Sequence, residues 1–246
     1  MQLQTTRANV EDVTWVVTEP LLAVVAVAVL VHAGRADLAS HALSASCLMT
    51  IGQMGFWVGS DVLSTERTRE TLELTVISPA PFSLLLFARI LVISALGLFG
   101  FAEGWLIIRG LFGLTITLHH PILLVLTLLG TLLAATCTSV LMAALFSAAR
   151  TARTLQFAMY GPLYLLGGVL VPVSYLPTWL EPLAPFVFLS WSAELMRDVF
   201  RAEAPRDVYF RLAMLVALAV CAATIAGLIT TRILNRLRRD GTLSVS

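Results

Sequence analysis

The chain has 246 residues, of which 58% are apolar and only 13% charged, with a formal net charge of +1 and a mean hydropathy of +0.89. A soluble domain carries about 25% charged residues, so the composition excludes one and points to a polytopic membrane protein. All 16 basic residues are arginine, which excludes a phosphate-binding loop with its lysine and any Schiff-base lysine. The chain is therefore expected to perform no ATP chemistry of its own. Cys47, Cys137 and Cys221 fall in apolar runs, are odd in number and lack C-x-x-C spacing. They read as small apolar side chains rather than as a disulfide or zinc framework.

The apolar runs are about 20 residues long, the length of membrane helices; barrel strands would be about 10 and alternating. Residues 1–19 read as an N-terminal interfacial segment, with a short helix over about 9–18, Trp15 at headgroup level and no cleavable signal peptide. The first span is expected at about 20–33 and the second at 41–60. The second contains Gly55-x-x-x-Gly59, two bare patches on one face where another helix, of this chain or of a second membrane chain, can approach closely. The third span is expected at 83–108, with Arg89 and Glu103 snorkelling at opposite ends and Glu103 within reach of Arg109. The fourth follows at 122–148 and carries Thr136, Thr138 and Ser139, suited to bonding their own helix or a neighbour. The fifth lies at 155–171, kinked at Gly161-Pro162, and the sixth at 208–231, before an arginine-rich tail over 232–246.

Two connecting stretches stand out. Residues 61–81 hold Asp61, Glu66, Arg67, Arg69, Glu70 and Glu73, which cannot lie in hydrocarbon, where each costs several kcal/mol. The stretch nonetheless reads as a helix: Ser64 or Thr65 can cap it, Glu66–Arg69 and Arg69–Glu73 stand three and four apart, and Ser78-Pro79-Ala80-Pro81 ends it. A short charged helix between two spans is a shape a membrane protein offers to a soluble partner, although a plain polar loop fits the same spacing. Residues 172–191 hold Pro172, Pro177, Pro182 and Pro185 among apolar side chains. That is too broken for a straight span and too apolar for a solvated loop, so a re-entrant or interfacial hairpin is expected; a mixed-charge stretch follows to residue 207.

Six spans place both termini on one side. With that side cytosolic, the outer arginines are Arg35, Arg109, Arg197, Arg201, Arg206 and Arg211, and the other ten lie inside. The inward excess supports the orientation. Residues 61–81 then face the cytosol and residues 172–207 form the outer segment.

Two motifs carry a resemblance. Glu66-Arg67-Thr68-Arg69-Glu70-Thr71-Leu72-Glu73-Leu74 resembles the E-R-x-x-G-T-L-E-L that follows the second span of ABC-2 type transporter permeases, such as the daunorubicin-resistance and nodulation permeases. The run Gly167-Gly168-Val169-Leu170-Val171-Pro172-Val173-Ser174-Tyr175-Leu176-Pro177-Thr178-Trp179-Leu180 is similar to that family's G-x-x-x-P-x-x-x-L-P-x-W-L after the fifth span. Glu70 departs from the family, which has glycine there, and the N-terminal segment is short. The resemblance implies an all-α polytopic fold, one transmembrane domain over residues 1–246, in the cell membrane. It implies that 61–81 is a coupling helix whose Glu66, Arg67, Glu70, Thr71, Leu72 and Glu73 meet a separate ATP-binding subunit. It implies further a complex of two permeases, identical or homologous, with two ATPases; no cofactor on this chain, ATP and magnesium residing on the partner; and export of a drug, lipid or lipopeptide.

Tyr175, Trp179, Phe186, Phe188 and Trp191 are candidates for an outer gate, although aromatic residues belong at any membrane interface. Other classes fit less well. An intramembrane enzyme wants a serine motif with a facing histidine, or paired acids within spans. An ion-coupled secondary transporter, the alternative reading, wants matched broken helices in both halves, and only one broken region is visible. A haem-export-type permease is a within-family alternative. Neighbouring His119 and His120 point about 100° apart on a helix, so a loop role suits them better than a metal site. No nucleic-acid partner is indicated.

Overall fold

The computed structural model describes residues 24–25, 27–35, 38–55, 82–146, 152–169, 171–205 and 207–240. The N-terminal segment, residues 56–81 with the expected coupling helix, and the last residues of the tail lie outside them. The described residues are helical, with no strand.

After a helical stretch over 27–32 come α1 (Ala39–Gln53), α2 (Phe82–Leu96), α3 (Phe99–Phe112), α4 (Pro121–Phe146) and α5 (Ala152–Leu166). Two 3-10 turns, Val173–Tyr175 and Glu181–Phe186, lead to α6 (Phe188–Phe200), and α7 (Val208–Asp240) completes the bundle. Among the described residues three stretches are long and apolar enough to cross a membrane: Leu84–Phe112, Pro121–Leu145 and Val208–Arg232. They coincide with the third, fourth and sixth expected spans.

The first of these stretches, the third expected span, is divided. The chain turns at Gly97 and Leu98, where the amides of both bond back three residues, to Ser94 and Ala95, and α3 starts afresh at Phe99. Gly97, Gly100 and Gly104 place bare backbone on α1: a methyl on Gly97 would stand 2.7 Å from Ile51 Cα, and one on Gly100 2.7 Å from Thr50 Oγ1. α3 ends at Gly113, whose left-handed backbone (φ 63°) lets its amide return to the Ile108 carbonyl.

The core lies where α4 meets α7, α6 and α2, with α1 against α3 and α6. α6 is the centre of this packing. Its Leu189, Leu195, Met196 and Val199 are fully buried. By contrast, Val216, Val220, Ile225 and Leu228 of α7 and Ile122, Val125, Leu126 and Leu129 of α4 are exposed. Exposed apolar faces on helices of this length are lipid- or partner-facing, because lipid places no penalty on them.

The stretch from 194 to 207 differs from its reading as a mixed-charge connection. Its first half is regular helix, since α6 runs to Phe200, and Asp198 is buried. The cysteines divide too: Cys47 and Cys137 are buried, whereas Cys221 lies on the open face of α7.

Three connections meet at one end of the bundle. The amides of His119 and His120 both bond the Val199 carbonyl at the end of α6, and Phe112, Leu114, Ile116 and Phe200 cover the cluster of Val27, Ala39, Leu43 and Ile108. The chain just before Ala39, the 113–120 connection and the end of α6 at Phe200 therefore lie together at one end of the described bundle.

Candidate functional site

The site at this end is built by the motif over residues 167–180. Gly168 takes a left-handed φ of +62° as the chain leaves α5, a conformation L side chains rarely adopt. Gly167 packs its backbone on α6, where a methyl would stand 2.5 Å from Leu189 Cβ. The paired glycines thus turn the chain off α5 and bring it against α6. Pro172 and Pro177 then start short turns, with the Tyr175 amide returning to the Pro172 carbonyl and those of Leu180 and Glu181 to that of Pro177. Trp191 Nε1 donates to the Pro185 carbonyl at 2.9 Å, and Ser190 Oγ to those of Ala184 and Val187, pinning the second turn to the start of α6.

The gate candidates separate by burial. Tyr175 (79% exposed), Trp179 (71%) and Phe186 (76%) stand outward on the turns. Trp191 is half-buried and edge-on to Phe210 of α7, with ring centroids 5.9 Å apart. Phe188 is only 4% exposed and packs in the main core beneath them.

Beside the turns lies a cleft of about 260 Å³, lined by His41 of α1, Pro172, Val173 and Ser174, Glu194, Arg197, Asp198 and Arg201, and Arg211 of α7. Asp198 is engaged at both oxygens: Arg211 Nη1 donates to Oδ2 at 2.7 Å and Arg201 Nη1 to Oδ1 at 3.3 Å. Arg211 also stands 3.7 Å from Glu194. Arg197 donates to the Gly168 carbonyl, tying α6 to the glycine turn. Burial holds the Arg197 pKa below its ordinary value; Glu194 works against that shift, Arg201 adds to it, and Asp198 also opposes it. Hydropathy carries no sign of this network, but the i, i+3 spacing of the opposite charges Glu194–Arg197 and Asp198–Arg201 is a helical signal that could have revealed it.

Within the bundle, hydroxyls bond as their spacing permits. Thr136 and Ser139 return to carbonyls of their own helix, Leu132 and Ala135. Thr131 of α4 donates to Ser192 of α6 at 2.9 Å, both fully buried. Gly55 serves packing inside the chain, since a methyl there would stand 2.7 Å from Ser139 Oγ and 2.9 Å from Ser94 Oγ; Gly59 lies outside the described residues. Tyr164 of α5 reaches into α1, donating to the Met49 carbonyl at 3.2 Å through the notch left by Gly52. Glu103 does not meet Arg109 among the described residues; the Arg109 guanidinium lies 5.3 Å over the Trp105 ring. Glu66, Arg67, Glu70, Thr71, Leu72 and Glu73 all fall outside the described residues.

The family model of the ABC-2 type transporter matches residues 2–200. The chain belongs to the ABC-2 type transporter family. The match spans both motifs, 66–74 and 167–180, and every described helix up to α6. No curated protein matches the chain closely enough to stand beside it. An ABC-2 chain is a multi-pass membrane permease of an ABC transporter, a transport component served by ABC ATP-binding subunits.

Proposed function

We propose that this chain is one membrane half of an ATP-driven exporter that moves a hydrophobic or amphipathic substrate, a drug, lipid or lipopeptide, across the cell membrane. Six spans leave both termini in the cytosol. Residues 61–81 dock on an ATP-binding subunit through Glu66, Arg67, Glu70, Thr71, Leu72 and Glu73, and the 172–207 segment caps the outer side. Two permeases, identical or homologous, join two ATPases, and ATP with magnesium sits on those partners. Closure of the ATPases moves the coupling helix, and the motion opens a path between the permeases. Tyr175, Trp179 and Phe186 form the outer gate, with Trp191 and Phe188 beneath them.

One observation carries the reading: the family match runs through both motifs, 66–74 and 167–180. Two others support it. The chain has no lysine for a nucleotide loop, so its energy must come from elsewhere. The apolar bundle also offers wide exposed faces to lipid or to a second permease.

The test is affinity purification of the chain in mild detergent with mass spectrometry of its companions. The expected result is a soluble protein carrying a P-loop lysine, equimolar with the membrane subunits. Recovery of the chain alone, with transport after reconstitution in the absence of ATP, would replace this reading with an ion-coupled transporter.

A further inference from the structure

We propose that the cleft between α6, the start of α7 and the 172–174 turn binds a phosphate-type anion, supplied by the headgroup of a membrane phospholipid.

Among the described residues the charges that line the cleft do not cancel. Three guanidiniums, Arg197, Arg201 and Arg211, face two carboxylates, Glu194 and Asp198. Asp198 is saturated, because Arg211 holds one oxygen and Arg201 the other. Among the described residues Arg197 has no carboxylate within ion-pair distance; its hydrogen bond goes to the Gly168 carbonyl, which is neutral. A guanidinium carries five N–H donors in a fixed fork, so one carbonyl leaves most of them unused. Arg197 of α6 and Arg201, the residue just past its end, line one cleft as like charges that repel. An anion between them satisfies the free donors and removes the repulsion. Guanidinium forks match phosphate oxygens in pairs.

The surroundings favour a lipid as the source. A cleft of about 260 Å³ accommodates a headgroup but not acyl chains, which would have to lie outside it. Tyr209 and Phe210, immediately before Arg211, are 90% and 60% exposed, and exposed aromatic side chains at the end of a span mark the headgroup level. Basic pockets between membrane helices recognise lipid headgroups by this chemistry.

The test uses the full chain, purified and stripped of lipid in a phosphate-free detergent. It is titrated with phosphatidylglycerol, with diacylglycerol of the same chains, and with inorganic phosphate, and binding is read by native mass spectrometry. Phosphatidylglycerol is expected to bind and diacylglycerol not. Arg201→Gln, at a side chain 63% exposed, is expected to weaken binding about tenfold, the worth of one charge-assisted hydrogen bond. Arg197→Lys keeps the charge but loses the fork, and a comparable loss is expected; Arg109→Gln, outside the cleft, should change nothing. Inorganic phosphate binding as tightly, with the same arginine dependence, would uphold the anion site and assign it a soluble source. Equal binding of diacylglycerol, or binding indifferent to Arg197 and Arg201, would overturn the proposal.

Discussion

Arg211 of α7 closes on Asp198 of α6 with Nη1 2.7 Å from Oδ2, and this contact between residues 13 apart is what allows a carboxylate to be buried at the end of the bundle. Removing one partner of a buried pair strands the other charge. Asp198→Ala is expected to cost about 3 kcal/mol, seen as a lowered thermal unfolding midpoint in detergent. Arg201→Gln, at the exposed side of the same carboxylate, should cost under about 1 kcal/mol. Equal costs would mean that the pairing does not carry the burial.

Gly52 and Tyr164 form a lock between α1 and α5. A methyl at Gly52 would stand 2.1 Å from the Tyr164 hydroxyl oxygen and 3.1 Å from its Cζ. Gly52→Ala is expected to destabilise by about 1–3 kcal/mol, the usual cost of overpacking. In a Tyr164→Phe background the same change should cost less, because the closest atom is gone. A thermal-melt double-mutant cycle measures the coupling, and additive losses would argue against the contact.

Thr131 donates to Ser192 where α4 crosses α6. Thr131→Val keeps the shape and removes the donor. A loss of about 1 kcal/mol is expected, read as the urea or thermal midpoint of the detergent-solubilised chain.

The coupling reading predicts that Glu66→Arg combined with Arg67→Glu releases the ATP-binding subunit while the membrane bundle keeps its melting midpoint. Co-purification of the ATPase at unchanged ratio would count against docking through these residues.

Trp179 is 71% exposed on the outer turn. Trp179→Ala is expected to leave stability within about 0.5 kcal/mol, as for other surface changes, while slowing ATP-driven substrate accumulation in inverted vesicles. Unaltered transport would mean that the ring serves only the interface.

Hydropathy made part of this fold legible. The fourth span was expected over 122–148, and α4 runs Pro121–Phe146; the sixth was expected from 208, where α7 begins. Apolar length is a property of composition, so a linear reading finds it. The break at Gly97 and Leu98 escaped because both sides of it are equally apolar, and hydropathy is blind to a backbone that changes direction. Residues 194–200 escaped for the opposite reason. Glu194, Arg197 and Asp198 look like a solvated stretch until Arg211 is folded against them, and that pairing lies in no local window. The paired glycines at 167–168 were seen as a motif, but their purpose, a left-handed turn that presents a carbonyl to Arg197, needed the fold. Gly100 and Gly104 have the same i, i+4 spacing as Gly55 and Gly59, but spacing alone does not say which helix lies against the bare face, and only the fold brings α1 there.

α6 carries Glu194, Arg197 and Asp198, and Arg211 reaches the two acids from α7, 13 residues beyond Asp198. While the chain is being synthesised, Asp198 leaves the ribosome before Arg211 does, so the 2.7 Å contact that lets it be buried forms only once α7 has begun. Until then Arg201 alone holds that carboxylate, from its exposed side. α6 and the start of α7 therefore acquire their final packing together, as one hairpin rather than as two helices in turn.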